Sequence, residues 1–156
     1  MQTHAQTARE LFELGYGYAQ SVFAAFCDVT DMDRNAALRL ASSFGGGMGR
    51  LREVCGAVTG MFMVAGMLYG YTNPEDDCSK AAHYALIQSL AHAFEEKHGS
   101  YVCRELLGLP EGESDPAPSK RTAAYYAARP CGELVYYAAE LLDELIARRQ
   151  IPQLQQ

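Results

Sequence analysis

The sequence has no Lys/Arg-rich cluster. Its 13 basic residues are scattered among 19 acidic ones, for a formal charge of −6. Unaided nucleic-acid binding needs clustered cations to displace counterions from phosphates, so that class is excluded. The opening "MQTHAQTARELFEL" lacks a basic segment followed by an apolar one, so no secretory signal is read and a reducing, cytoplasmic setting is expected. Two-residue strand alternation is missing, as is any internal repeat. The glycine-rich "GGGMGRL" has no Gly-Lys-Ser/Thr and follows a helical stretch, so it is not a nucleotide loop. No Gly-x-Ser-x-Gly frames Ser42 or Ser43, and His83 and His92 lack the four-residue spacing of a helical metal pair.

What is present is a helical chain of 156 residues, 49% hydrophobic and 21% charged, long enough to bury a core without covalent staples. Apolar spacing predicts an all-α, compact single-domain bundle of about five or six helices spanning residues 1–156. In the first stretch, Leu11, Phe12, Val22, Phe23 and Phe26 recur at helical spacing, with a kink or break at Gly15 and Gly17. Thr30 with Asp33 reads as a capping box opening a helix through Ala41. Further helices are expected over residues 50–69, from Asp76 or Ser79 to His98 with Gly99 as its stop, from a Ser100 cap to near Gly108, and from Pro130 onward. Residues 109–120, rich in proline, glycine and acid, read as an exposed loop, and residues 151–156 as a frayed tail.

Val54 to Tyr71 contains 18 uncharged residues, the lower edge of a membrane-spanning length. Four glycines, a threonine and the lack of a partner span favour a central buried helix instead, with Gly56, Gly60, Gly66 and Gly70 forming two small-xxx-small pairs that let neighbouring helices approach closely.

Five cysteines are many for a chain of this size in a reducing compartment, where they point to redox or metal chemistry. Cys27 and Cys78 read as small buried hydrophobes. Cys55, Cys103 and Cys131 each fall at a predicted helix beginning, where unpaired amides and the dipole favour an anion. One helix end contributes up to about 2 kcal/mol, whereas two thiolates about 4 Å apart repel by about 4 kcal/mol at an effective dielectric of about 20. A converged trio must therefore keep protons, form a disulfide or hold a metal.

"GGGMGRLREVCGAVTG", "HGSYVCRELLG" and "CGELVYYAAELLDELI" together resemble the redox-active protein family named for its C_GCAxxG_C_C pattern. Its CGAxxG motif is matched by Cys55 to Gly60, and the likeness runs from about Gly17 to Ile146. The resemblance implies redox activity or metal binding, with Cys55, Cys103 and Cys131 as the second, third and fourth cysteines of the pattern. The first cysteine is replaced by Tyr18.

Three functions follow. A thiol redox or electron-transfer protein, catalytic in the manner of a thiol oxidoreductase, would use Cys55 as the attacking thiolate beside Arg52, with Cys103 or Cys131 resolving; the lack of Cys-x-x-Cys leaves folding to bring the partners together. A binding module would hold zinc or an iron-sulfur cluster on Cys55, Cys103 and Cys131, with His98 or an exogenous molecule as fourth ligand. A small ligand or cofactor is then expected against Gly47, Gly49, Gly56, Thr59, Gly60 and Tyr18. A non-catalytic helical protein would use its tyrosines for a core or a homodimer face. The redox partner and the metal are not specified by the sequence.

Overall fold

Gly15, at φ 103°, interrupts the first apolar stretch and produces two helices rather than one kinked one. In the computed structural model, which describes residues 1–112 and 114–150, these are α1 (His4–Glu13) and α2 (Tyr18–Ala25). Thr3 and Gln6 close α1 with a reciprocal capping box. α2 is buried over Tyr18, Ala19 and Ser21 to Ala25. The Ser21 hydroxyl, buried among apolar neighbours, donates to the Gly17 carbonyl at 2.8 Å.

The chain continues through α3 (Cys27–Thr30) and α4 (Arg34–Ala41), then a 3-10 turn at Ser42–Phe44. Thr30 therefore ends one helix instead of opening the next: its hydroxyl bonds back to the Phe26 carbonyl, and Asp33 alone caps α4 by accepting from the Ala36 amide. α5 (Gly56–Tyr69) starts six residues later than the sequence suggests, because Arg50 and Arg52 have positive φ. α6 (Asp77–His98) begins after the Asp76 cap and stops at left-handed Gly99, as expected. α7 (Cys103–Leu106) is a single turn. Ser100 acts three residues ahead of its first residue, accepting from the Val102 amide and donating to Glu105. α8 (Ala123–Ala128), absent from the sequence reading, precedes α9 (Cys131–Gln150). The described residues thus form nine helices, several too short to show a periodicity. Residues 109–120 are mostly exposed, and the frayed tail expected at 151–156 lies outside the described residues.

α1 packs on α9 and on α2, α2 on α5, and α5 and α2 also on α9. Phe12, Phe23, Phe26, Met61, Phe94 and Leu142 fill the space between them. No described helix is long and apolar enough to cross a membrane, and α5 is instead the buried helix that its glycines suggested. A Cβ on Gly60 would lie 2.9 Å from the Ala19 carbonyl oxygen and 3.0 Å from Val22 Cβ. On Gly56 it would meet the Phe44 carbonyl oxygen at 3.0 Å and Tyr18 Cβ at 3.2 Å. Both glycines bring α5 onto α2. Gly66, with nothing within 4 Å, has no such role.

His4 joins three helices, with Nδ1 at 2.5 Å from Asp143 of α9 and Nε2 at 3.0 Å from Asp28 of α3. Burial opposes its charge, but hydrogen bonds to Asp28 and Asp143 outweigh this and raise its pKa.

Two outcomes follow. Gly60→Ala should destabilise by about 1–3 kcal/mol through overpacking, whereas Gly66→Ala should stabilise by about 0.5–1 kcal/mol, both read by urea unfolding. Because the folded pKa of His4 is raised, its contribution is full below the unfolded histidine range and is lost as pH rises through the folded value. His4→Gln should flatten the stability profile over that neutral-to-alkaline window.

Candidate functional site: a buried cluster of three thiols

The site begins with a turn of unusual hand. Five consecutive residues, Gly46 to Arg50, have φ between 59° and 69°, and Arg52 follows at 64°. Glycine adopts this region freely, while Met48, Arg50 and Arg52 each cost about 1–2 kcal/mol. Backbone bonds such as Arg50 N–H to Gly45 and Glu53 N–H to Gly47 hold the coil. Gly47 is required twice over: besides its φ, a Cβ there would sit 2.6 Å from Cys103 Cβ.

Beyond the turn, residues 52–55 run antiparallel to 101–104. Cys55 N–H donates to Tyr101 at 2.9 Å, Cys103 N–H to Glu53 at 2.6 Å and Arg104 N–H to Arg52 at 3.2 Å, around a bridge between Val54 and Val102. This pairing brings the heads of α5 and α7 together. Cys55 is the N-cap of α5, while Cys103 and Cys131 are the first residues of α7 and α9, so all three sulfurs sit at helix heads as expected. They line one cavity of about 10 Å³, closed by Leu106, Leu107 and Leu134. That space admits one water molecule at most. The three cysteines are 3%, 3% and 1% exposed and none is in a disulfide.

Tyr18 completes the lining. Its hydroxyl faces Cys131 and makes a 2.6 Å hydrogen bond with the Tyr125 hydroxyl. Burial, helped by Cys131, pushes its pKa far up, so it stays a neutral donor.

The electrostatics reverse one expectation. Burial pushes the Cys55 thiol up to about 12, overriding the Ala57 and Val58 amides at the head of α5, which act in the opposite sense. Desolvation therefore outweighs the helix end at Cys55 and favours the neutral thiol over the thiolate. Burial also raises Cys131, opposed by the Tyr18 hydroxyl and by Arg129 and Arg121. Arg52, 4% exposed, does not serve Cys55: its Nη1 reaches Cys103 Sγ at 3.7 Å, and its Nε donates to Ser114.

The other anticipated residues have different roles. Gly47, Gly49, Gly56 and Gly60 shape the backbone and the helix crossing and do not line the thiol cavity, and the Thr59 hydroxyl donates to the Cys55 carbonyl within α5. His98 lies outside the cavity, packed at 4.9 Å from the Phe94 ring and 5.1 Å from Tyr137. Burial, reinforced by Lys97, lowers its pKa. Among the described residues no group of three or more His, Cys, Asp or Glu is arranged to hold a metal ion. A void of about 10 Å³ walled by leucines leaves no room for an iron-sulfur cluster. Cys78 is exposed on α6 and Cys27 half-buried, so neither is the core residue expected. Arg121 and Arg129 were missed, and Tyr125 was covered only by the expectation that the tyrosines pack a core or dimer face. Their signal, a basic and aromatic run in "KRTAAYYAARP", is too short to carry a helical period.

Alkylation by iodoacetamide, mapped by mass spectrometry, should be slowest at Cys55 and should keep rising through the alkaline range, while exposed Cys78 reacts first. A raised thiol pKa stabilises the fold below the unfolded thiol range and loses that contribution as pH climbs toward the folded value. Cys55→Ala should accordingly reduce the alkaline fall in stability measured by denaturant titration.

A sequence profile of the C_GCAxxG_C_C family, described as "Putative redox-active protein", matches residues 16–145. No curated protein and no solved structure matches the chain significantly. With the match covering most of its length, the chain belongs to the C_GCAxxG_C_C family.

Proposed function

We propose that the chain is a thiol–disulfide redox protein in which Cys103 and Cys131 form the working pair. The observation that carries this reading is the Arg52 guanidinium, buried and hydrogen-bonded to Cys103 Sγ in a cavity shared with two further free thiols. A cation beside sulfur stabilises the charge that develops when a thiol attacks or departs.

The reaction is an exchange with a small disulfide RSSR. Cys103 sulfur bonds to one sulfur of RSSR, the S–S bond breaks, and the departing thiolate takes up the proton that Cys103 gives up. Cys131 then attacks Cys103 sulfur and expels the second RS group, which is protonated in turn. Two protein thiols are oxidised to one disulfide and RSSR is reduced to two RSH, a two-electron balance. Tyr18 donates toward Cys131, and Arg129 and Arg121 favour its anion against burial. Cys55, held protonated, is the reserve thiol. Since all three sulfurs are buried, exchange requires the wall of Leu106 and Leu107 or the Tyr18 side to open.

The test is a thiol count and disulfide map before and after oxidation by a small disulfide. The count should fall by two with a Cys103–Cys131 link. Cys55→Ser should preserve that link, and Cys103→Ser should abolish it. An unchanged count, or close to one zinc or cluster per chain after anaerobic purification, would overturn the reading in favour of metal binding by the same cysteines.

A further inference from the structure

Beside the thiol cavity lies a second cleft, of about 170 Å³, in which four arginines converge: Arg50, Arg52, Arg121 and Arg129. They are four of the 13 basic residues of a chain whose net charge is −6, and no described carboxylate lines the cleft. Like charges do not gather in one concavity without compensation. Here the compensation is partial and neutral. Arg50 donates to the Asp115 carbonyl and the Ser119 hydroxyl, and Arg52 to Ser114 and Cys103. Arg121 donates to the Phe12 and Tyr16 carbonyls and stacks over aromatic rings. Arg129 lies over the Tyr125 ring at 4.8 Å. None of the four forms an ion pair with a described residue. The strained turn adds a second sign of purpose, because Arg50 and Arg52 are held on this wall by left-handed backbone that a non-glycine residue resists.

The cleft is also contiguous with the sulfurs, since Tyr18 and Arg52 line both cavities. At about 170 Å³ it is smaller than a site for a whole drug-sized molecule, and it suits one charged end group on a short stem. Guanidinium forks bind carboxylate and phosphate oxygens in bidentate fashion.

We propose that this arginine cleft binds the carboxylate end of the substrate, so that the redox partner of the thiols is a small anionic disulfide or thiol. The substrate class rests on the thiol–disulfide reading above; the anion site does not. With its carboxylate among Arg50, Arg121 and Arg129, the substrate directs its sulfur past Tyr18 and Arg52 toward Cys103 and Cys131. The exchange itself is the balanced reaction already written.

Two measurements test this in a Cys27→Ser/Cys78→Ser background, which removes the accessible thiols. Calorimetry at low salt with inorganic phosphate reads the anion site alone. Wild-type should bind saturably, Arg129→Gln and Arg50→Gln at least tenfold more weakly, and Arg129→Lys should recover part of the loss. Thiol modification by dianionic dithiobis(nitrobenzoate), relative to neutral dithiodipyridine, reads the substrate class. The charged-to-neutral rate ratio should drop at least tenfold in both glutamine variants, and phosphate should slow the charged reagent only. No saturable phosphate binding together with an unchanged ratio overturns the inference while leaving the thiol chemistry standing. Phosphate binding with neither disulfide reacting supports the anion site and overturns the redox reading instead.

Discussion

Three backbone hydrogen bonds between residues 52–55 and 101–104 are the constraint on which the site depends. They join segments separated by the whole of α5 and α6, and they set Cys55 and Cys103 against each other before any side chain contributes. The pairing is possible only because the chain reverses through the left-handed turn at 46–50, whose Gly47 leaves no side chain between the turn and Cys103. Backbone strain in the turn is thus coupled to sulfur position, and the close crossing of α5 over α2 at Gly56 and Gly60 adds Tyr18 to the same wall. α9, packed on α1, α2 and α5, brings Cys131 from the far end of the chain.

Within this frame two electrostatic effects compete, and burial is the stronger. A helix head favours an anion, yet burial holds Cys55, at the head of α5, as a thiol. The cavity is too small and too apolar to solvate charge. Charge compensation comes from a side chain instead, the Arg52 guanidinium on Cys103, with the Tyr18 hydroxyl and neighbouring arginines acting on Cys131. Three chemically identical groups are in this way made unequal by their surroundings.

Tyr18 links the two halves of the site. Its ring reaches both the thiol cavity and the arginine cleft, and its hydroxyl is tied to Tyr125 of α8. Burial keeps this hydroxyl protonated, a neutral hydrogen-bonding group between the two cavities.

Local patterning in the sequence determined the all-helical class, the break at Gly15, the caps of α6, the burial of α5 and the three cysteines at helix heads. Each depends on neighbours a few residues away, through helical periodicity, capping or the absence of charge. Short helices such as α3 and α8 escaped, since one or two turns carry no period, and so did the left-handed turn, in which Met48, Arg50 and Arg52 contradict their own preferences. Tertiary structure alone decided which sulfur meets the guanidinium, that His98 stays outside, and that four arginines spread over residues 50–129 share a cleft. Those outcomes depend on desolvation and on pairings between distant segments, quantities that exist only once the chain has folded.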